Sequence, residues 1–419
     1  MKSLYVLLVT LFIFTYSNAQ IVDIPDENFK NVLLNYNPVI DINDDGEIQV
    51  SEAELVTSLA LVNLGIMSLE GISSFTNIID IFIESNPLVS LDFSQNNNLE
   101  VIHCSFNELV SLNVPQNNNL EVIRCSNNQL VSLNVSNNPN LRELDCYNNL
   151  ITSIDVSQNL NLLELWCGGN NLLSLDLENN VNLEKLSFWD NEISEIDVSE
   201  NTNITLLSFE STNINNIDIS QNVNLEILYC GINELSDLNV SQNLNLKVLA
   251  IENNLLTNLD ISQNLLLEKL WCYQNEFLQN LNIANGNNSN LTNFNATENP
   301  NLICIQVDDE DYANIQDCNL DPPYNGWCKD DSASYSEKCI LGIEDNAFIN
   351  FAIYPIPTQG VLNIESQRPI ETVKIYNLQG QLIKEDSNRS VDVSQLTTGL
   401  YFVHVIVDGK TVTKKFIKE

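Results

Sequence analysis

The sequence in the middle of this chain repeats with a period of 21 residues. One copy runs from Leu120 to Asn140, and Cys125, at its sixth position, shows the register most plainly. Steps of 21 residues give a column of apolar side chains: Ile83, Cys104, Cys125, Cys146, Cys167, Phe188, Phe209, Cys230, Ile251 and Cys272. A fixed period of this length means that each repeat is one coil that buries its apolar face against its neighbours. The chain must therefore form a solenoid, an architecture that offers a long surface for binding.

The first half of each repeat fits the pattern LxxLxLxxNxL. In one copy the five defined positions are filled by Leu120, Ile123, Cys125, Asn128 and Leu130. This pattern resembles the leucine-rich-repeat family over about ten copies, from Ile78 to Leu302. The resemblance implies that the LxxLxL stretch forms a short parallel strand on a concave face. It also implies that the asparagine turns inward and satisfies the backbone of the turn.

The second half of each repeat has its own regularity. Leu133, Val135 and Asn138 recur in later copies, which gives each coil a second apolar edge and a second column of asparagines. This half is too short for a full helix, so we expect extended structure there. The predicted architecture is a β-rich leucine-rich-repeat solenoid of about ten 21-residue coils with parallel strands.

The ten cysteines form two groups. Six lie in the repeat column, where Phe and Ile replace them in other coils. Side chains on neighbouring parallel strands lie about 4.8 Å apart, farther than the ~3.8 Å that a disulfide requires between Cβ atoms. We therefore predict buried thiols that act as small apolar side chains. The second group is expected to form disulfides in an exported protein, and of three possible pairings we favour 304–339 with 318–328. Its members are Cys304, Cys318, Cys328 and Cys339.

Residues 41–52 match the EF-hand calcium loop at every defined position. The oxygen donors for one structural Ca²⁺ would come from Asp41, Asn43, Asp45, Glu47, Gln49 and Glu52. Helices are predicted on both sides, from Asp26 to Tyr36 and from Ser51 to Leu61. The segment also resembles the EF-hand-like cap of the internalin group, in which the loop need not hold metal. A cap over the first coil is expected in either case.

From Ile353 onward, alternating strands separated by turn glycines predict a small all-β sandwich. The segments Tyr354–Gly360, Val373–Gln381 and Gly399–Val403 closely resemble the type A C-terminal sorting domain of the type IX secretion system of Bacteroidetes. The resemblance implies export across the outer membrane, followed by removal of the tail and by surface attachment or release. The type IX secretion machinery is therefore an expected partner, and the expected location is secreted or on the outer cell surface.

The N-terminus has the features of a secretory signal peptide. Lys2 precedes an apolar run from Leu4 to Tyr16, and Ser17-Asn18-Ala19 offers a cleavage site. The chain is thus divided into a signal peptide (1–19), a helical EF-hand-like N-terminal cap (20–65), the solenoid (66–303), a cysteine-containing C-terminal cap (304–341), a linker (342–351) and the β-sandwich sorting domain (352–419).

The net charge of −39 is concentrated outside the tail, since residues 1–341 hold 47 of the 56 acidic residues and only 9 of the 17 basic ones. Such a charge repels nucleic acid and anionic membranes, and it suits cations, basic partners or neutral ligands. No apolar run after the signal peptide reaches the ~18 residues of a membrane span, so membrane insertion is not expected. A monomer is expected.

Strand residues alternate between faces, so the positions beside the buried column should point outward on the concave side. We call the residues immediately before the column the first row and those immediately after it the second row. Both rows are rich in aromatic side chains. The predicted ligand-binding face consists of Phe82, His103, Arg124, Tyr147, Trp166, Trp189, Tyr229, Trp271 and Tyr273.

The sequence argues against an enzyme. The chain has two histidines, His103 and His404, and His103 and Cys104 should face opposite sides of their strand. We therefore expect a secreted or cell-surface adhesion protein that recognises a protein or glycan on its concave aromatic face. The alternative is an acidic, calcium-stiffened spacer of the cell-surface matrix without a specific ligand, and a hydrolase is the weakest interpretation.

Overall fold

The computed structural model describes residues 20–114, 118–319, 325–339, 351–366, 369–377, 380–407 and 410–419. The predicted signal peptide and residues 342–350 of the predicted linker lie outside the described residues. The chain divides into two units, Met1–Lys338 and Cys339–Glu419. Each unit is described by itself.

Short strands recur once per coil and join into one sheet, in which the described residues form 14 strands. In each three-residue strand the middle side chain is buried and at least the first is partly or fully exposed, as in Val122–Arg124 around Ile123. All neighbours pair in parallel except the last two. The strands are Ser58–Ala60, Asp80–Phe82, Val101–His103, Val122–Arg124, Glu143–Asp145, Glu164–Trp166, Lys185–Ser187, Leu206–Ser208, Ile227–Tyr229, Val248–Ala250, Lys269–Trp271, Asn293–Ala296, Asn325–Lys329 and Cys318–Asn319. This is the parallel sheet that the resemblance predicted for the first half of each repeat, and we call it the concave sheet.

The turn after each of these strands is held by an asparagine, as the resemblance implied. Asn149 donates from Nδ2 to the carbonyl oxygens of Cys125 and Cys146, at 3.1 and 3.0 Å, and its Oδ1 accepts the N–H of Leu130 at 3.0 Å. Each amide therefore bridges neighbouring coils. Where Thr212 interrupts the column, its hydroxyl donates to Asn233 Oδ1 at 2.7 Å and keeps the ladder connected.

The second edge of the coils carries the other asparagine column. Asn159 donates to the carbonyl oxygens of Val135 and Asn138, which lie 24 and 21 residues earlier. Among the described residues, strands on this edge lie only towards its two ends, and hydrogen bonds from the asparagine amides join the intervening coils there. The strands are Ser90–Asp92 and Ser111–Asn113 near the N-terminus, and Asn258–Asp260, Asn280–Asn282, Cys304–Gln306 and Ser334–Ser336 near the C-terminus.

The repeat column forms the centre of the core. Its six cysteines are free thiols and fully buried, which confirms that they pack as apolar side chains. Burial raises the pKa of Cys167 to about 12, so the thiolate form needed for chemistry is suppressed. Phe188 and Phe209 occupy the same column and stack at a centroid distance of 5.8 Å.

The N-terminal cap contains the helices Glu27–Leu34 and Val50–Ala53. The predicted second helix to residue 61 is wrong, because Ser58–Ala60 is already a strand that pairs with Asp80–Phe82. The strand pairing that places Leu59 beside buried Ile81 outweighs the helical pattern of this stretch of sequence. A 3₁₀ turn follows at Ile72–Ser74.

The parallel strand pairing of the solenoid continues beyond residue 303, the predicted end of the solenoid. Asn325–Lys329 pairs with Asn293–Ala296, and the 3₁₀ turn Asn288–Asn290 and the helix Glu310–Asn314 fill the longer connections. A disulfide joins Cys318 to Cys328, and Cys304 and Cys339 are each disulfide-bonded. Trp327 is buried here, with its indole N–H donating to the Leu291 carbonyl at 2.6 Å. This last coil covers the end of the core.

The second unit is an antiparallel all-β domain, as predicted. One sheet contains Phe351–Tyr354, Val361–Ser366 and Ser390–Asp392, and the other contains Leu382–Asp386, Thr372–Tyr376, Gly399–Val407 and Lys410–Lys418. Its own core includes Leu362, Val373, Val403 and Phe416. Within the part of the chain that the structure describes, no helix has the length and apolar character of a membrane span.

Replacing Asn149 by alanine should lower the free energy of unfolding by about 1–3 kcal/mol, because two carbonyl groups and one amide lose their partner inside the solenoid. Urea unfolding followed by circular dichroism measures the change. Asn179→Ala is the control, since Asn179 is exposed and outside both asparagine columns, and it should cost less than about 0.5 kcal/mol. Equal effects of the two substitutions would contradict the role assigned to the ladder.

Candidate functional site on the concave sheet

Six of the nine predicted face residues lie in strands of the concave sheet, Tyr147, Trp189 and Tyr273 lie two residues after the ends of their strands, and all nine are partly exposed. The sheet brings them together because strands pair in strict register, with Asp145 beside Trp166 and Ala250 beside Trp271. The expectation that both rows are exposed throughout is too simple. Ser126 and Ser208 are buried, and their hydroxyl groups donate to Ser105 Oγ at 3.0 Å and to Glu210 Oε2 at 2.7 Å.

Two indole rings of the face are fixed by hydrogen bonds. Trp166 donates from Nε1 to Glu164 Oε2 at 3.1 Å, and the other oxygen of Glu164 accepts from Lys185 Nζ at 2.8 Å. Trp271 donates from Nε1 to Asn293 Oδ1 at 2.9 Å. Both rings therefore have a defined orientation before any ligand arrives.

Trp189 is positioned by a glycine rather than by a hydrogen bond. Its indole lies against Gly168 in the preceding coil, where an added Cβ would come within 2.4 Å of Nε1. Gly168 does not need its conformational freedom at this position, since its φ is ordinary for any residue. Glycine is needed here because it leaves space for the Trp189 indole ring to lie against the sheet.

The N-terminal part of the face combines aromatic and basic groups. Phe82 and His103 form an edge-to-face pair with centroids 4.9 Å apart. Burial lowers the pKa of His103, and the charge of Arg124 lowers it further. His103 is therefore mostly neutral at physiological pH and contributes ring surface rather than charge.

Ion pairs neutralise the basic side chains of the face. Arg124 forms a bidentate pair with Glu143, with Nε–Oε1 and Nη2–Oε2 distances of 2.6 and 3.0 Å. Burial raises the pKa of Asp145, the next carboxylate, to about 6. The central face is thus nearly charge-balanced although the chain is strongly acidic.

Two carboxylates at the C-terminal part of the face, Glu210 and Glu252, were not among the predicted face residues, whereas Tyr229 beside them was. Glu210, Tyr229 and Glu252 cluster there, and the Glu252 carboxyl group lies over Gly231. The signal was visible in the second row, where Gly168 and Gly231 each precede a large side chain at the next position, Trp189 or Glu252. A glycine in an outward-facing column marks the place where a neighbouring side chain lies across the sheet.

The calcium-like loop of the cap is closed by its own hydrogen bonds. Glu52 accepts the backbone N–H of Ile42 at 2.8 Å and that of Gln49 at 2.9 Å. The Asp41 carboxylate accepts the N–H groups of Asp45 and Gly46 at 3.3 and 3.1 Å. The described residues hold no group of three His, Cys, Asp or Glu side chains arranged to bind a metal.

The predicted metal ligands of this loop nevertheless have the chemistry that calcium prefers. Asn43 and Gln49 donate to the Asp45 carboxylate, and Glu47 pairs with Lys30 at 2.6 Å. The six predicted ligands would all coordinate through oxygen atoms, with Glu47 using its backbone carbonyl, which suits Ca²⁺. Binding would require Glu52 to exchange its two amide partners for the ion.

Comparisons with known proteins agree with this architecture. Residues 352–419 match the family described as the secretion system C-terminal sorting domain. The functional domain of InlJ from Listeria monocytogenes, described as including a cysteine ladder, is similar over 96% of this chain and 98% of its own, at 20% identity and a TM-score of 0.57. An internalin (inlF) of the same organism is 18% identical over 62% of this chain and 88% of its own, with a TM-score of 0.49. No curated protein sequence matches significantly.

The chain is therefore a leucine-rich-repeat solenoid that ends in a type IX secretion sorting domain. The sorting domain marks a secreted or outer cell-surface protein. The similarity to InlJ concerns the fold.

Replacing Gly168 by alanine should push Trp189 off the sheet, because the new Cβ would overlap the indole. We expect stronger acrylamide quenching of tryptophan fluorescence and a loss of about 1–3 kcal/mol of stability, as is typical of overpacking. Gly360→Ala is the control, since an added Cβ there meets nothing within 4 Å. Unchanged quenching in the Gly168 variant would mean that the indole does not rest on this glycine.

Proposed function

We propose that this protein is a secreted or surface-displayed adhesion protein that captures a protein or glycan ligand on its concave aromatic face. The observation that carries the proposal is the fixed orientation of Trp166, Trp189 and Trp271, each held by a contact within the sheet. Aromatic side chains with few remaining degrees of freedom bind at low entropic cost, and they dominate the energetics of many interfaces.

The same surface supports a binding role rather than a catalytic one. Cys104 is buried and its pKa is raised by burial, so it cannot act with the neighbouring His103. Leucine-rich-repeat solenoids present rigid concave surfaces, and an adhesion role fits a protein that the sorting domain sends to the cell exterior. The type IX machinery would be the second partner, through residues 352–419.

Changing Trp166, Trp189 and Trp271 together to alanine should weaken ligand capture at least about tenfold, because the rings supply most of the apolar contact area. The ligand is first identified by probing glycan and host-protein arrays with the full chain. A triple variant of exposed apolar residues elsewhere, Leu160→Ala, Leu244→Ala and Leu265→Ala, is the control. Unchanged capture by a folded tryptophan variant would exclude the aromatic face as the binding site.

We also propose that the cap loop takes up one structural Ca²⁺. Asp41, Asn43, Asp45, Glu47, Gln49 and Glu52 would hold it, and the ion would stiffen the cap at the exposed end of the core. The support is the complete set of oxygen donors and the turn at Gly46, whose φ is +81°. A spacer role without a specific ligand would rely on the same ion.

Titration calorimetry with calcium tests this proposal. The unmodified chain should release or absorb heat and gain thermal stability in calcium, and Asp41→Ala should abolish both effects, since Asp41 contributes the first carboxylate. Glu54→Gln, an exposed acidic residue next to the loop, is the control and should behave as the unmodified chain does. Absence of heat and of stabilisation in the unmodified chain would identify a metal-free cap.

A further inference from the structure

A cavity of about 440 Å³ lies where the concave sheet meets the N-terminal cap. The helix Glu27–Leu34 and the residues that follow it form one side, and Ala60 and Leu64 of the first coil form the other. Ala60 pairs with Phe82, which pairs in turn with His103, so the cavity lies at the N-terminal end of the first row. It is therefore continuous with the predicted ligand-binding face.

Four asparagines line this cavity, and among the described residues no charged side chain lines it. Three of them follow one another at intervals of three and four residues along the helix and its C-terminal end, which places them on one helical face. All four are exposed to solvent, and they are Asn28, Asn31, Asn35 and Asn37. In a chain of net charge −39, an uncharged polar cavity suits a neutral ligand.

The fold accounts for only two of these asparagine side chains. Asn28 donates from Nδ2 to the Gly65 carbonyl at 2.8 Å, and Asn35 donates to the Asn31 carbonyl at 2.8 Å where the helix ends. Within the part of the chain that the structure describes, no hydrogen bond involves the side chain of Asn31 or Asn37. Asparagine is a poor helix former, so Asn31 weakens the helix without a bond in return. Both amides are available to a ligand.

Tyr36 places an aromatic ring of fixed orientation in the same cavity. Its hydroxyl oxygen accepts the N–H of Ala60 at 2.7 Å, and its ring is packed against the core of the cap and solenoid. Val32 and Leu64 add apolar surface. The cavity thus combines an oriented ring with amide groups, each of which offers one carbonyl acceptor and two N–H donors.

We propose that the cavity around Asn31, Tyr36 and Asn37 binds a neutral sugar residue of a glycan ligand. This inference rests on the proposed binding function of the concave face and selects a glycan from the two ligand classes. A sugar hydroxyl both donates and accepts, which an amide side chain matches, and the apolar face of a sugar ring packs on an aromatic ring. A charged side chain of a protein ligand would find no opposite charge in the lining of this cavity.

The position of the cavity also fits a chain of sugars. Phe82 lies one strand beyond Ala60, at a spacing of about 4.8 Å, and His103 lies one strand beyond Phe82. The two rings are in edge-to-face contact. A glycan whose end lies on Tyr36 would therefore extend along the aromatic side chains of the first row.

The probes are four neutral hexasaccharides, namely maltohexaose, cellohexaose, mannohexaose and N-acetylchitohexaose, each titrated calorimetrically into the full chain. We expect at least one of them to bind. The double variant Asn31→Ala with Asn37→Ala should weaken that binding at least about tenfold, because two amides lose their hydrogen bonds to the sugar. Its thermal midpoint should not fall, since alanine favours the helix at position 31. Absence of binding by all four at about 5 mM would overturn the proposal.

The matched control is the double variant Asn171→Ala with Asn179→Ala. Both residues are exposed and lie on the solenoid outside the lining of the cavity, and no hydrogen bond of their side chains to a described residue is present. This variant should change the affinity less than about twofold. Equal weakening by the two double variants would overturn the sugar site in the cavity.

The tryptophan variant separates this inference from the function on which it rests. If the asparagine variant loses hexasaccharide binding and the tryptophan variant retains it, the cavity is supported and the role proposed for the three tryptophans is wrong. If the tryptophan variant alone loses hexasaccharide binding, the glycan binds elsewhere on the face and the cavity is wrong. If no hexasaccharide binds and the array ligand is a protein that needs the tryptophans, the cavity is wrong while the concave face stands. Loss in both variants, with thermal midpoints unchanged, supports the two proposals together.

Discussion

The inter-coil hydrogen bond of the asparagine amide is the interaction on which the rest of the structure depends. A coil of 21 residues has no internal ladder, so its turn carbonyl and amide groups must find partners in the adjacent coils. Asn149 bonds to groups of its own coil and of the preceding coil, and Asn159 donates to two carbonyl groups of the preceding coil on the other edge. Because these amides are buried, each of them also fixes the spacing between coils.

That fixed spacing turns the concave sheet into a rigid platform. Residues 21 apart stand side by side, so a small residue in one coil creates space for a large one in the next. Gly168 accommodates Trp189 and Gly231 accommodates Glu252 by this rule. The chemical character of the face therefore depends on pairs of residues in successive repeats, rather than on single residues.

Charge divides the face into two parts. In the N-terminal and central coils, Arg124 and Lys185 pair with nearby carboxylates beside the aromatic side chains. Towards the C-terminal end, no ion pair among the described residues involves Glu210 or Glu252, and burial raises the pKa of Glu252.

The sequence by itself determined the solenoid, its register, the buried cysteine column and the row to which each aromatic belongs, because a strict period leaves only one way to stack the coils. It did not determine where the second cap helix ends, since the pairing of Leu59 with Ile81 is a contact between distant residues. Nor did it show that Ser126 is covered, that Trp166 and Trp271 are tethered, or that a Glu252 oxygen lacks a donor. Those properties arise from side chains of neighbouring coils meeting across the sheet, which only the tertiary structure decides.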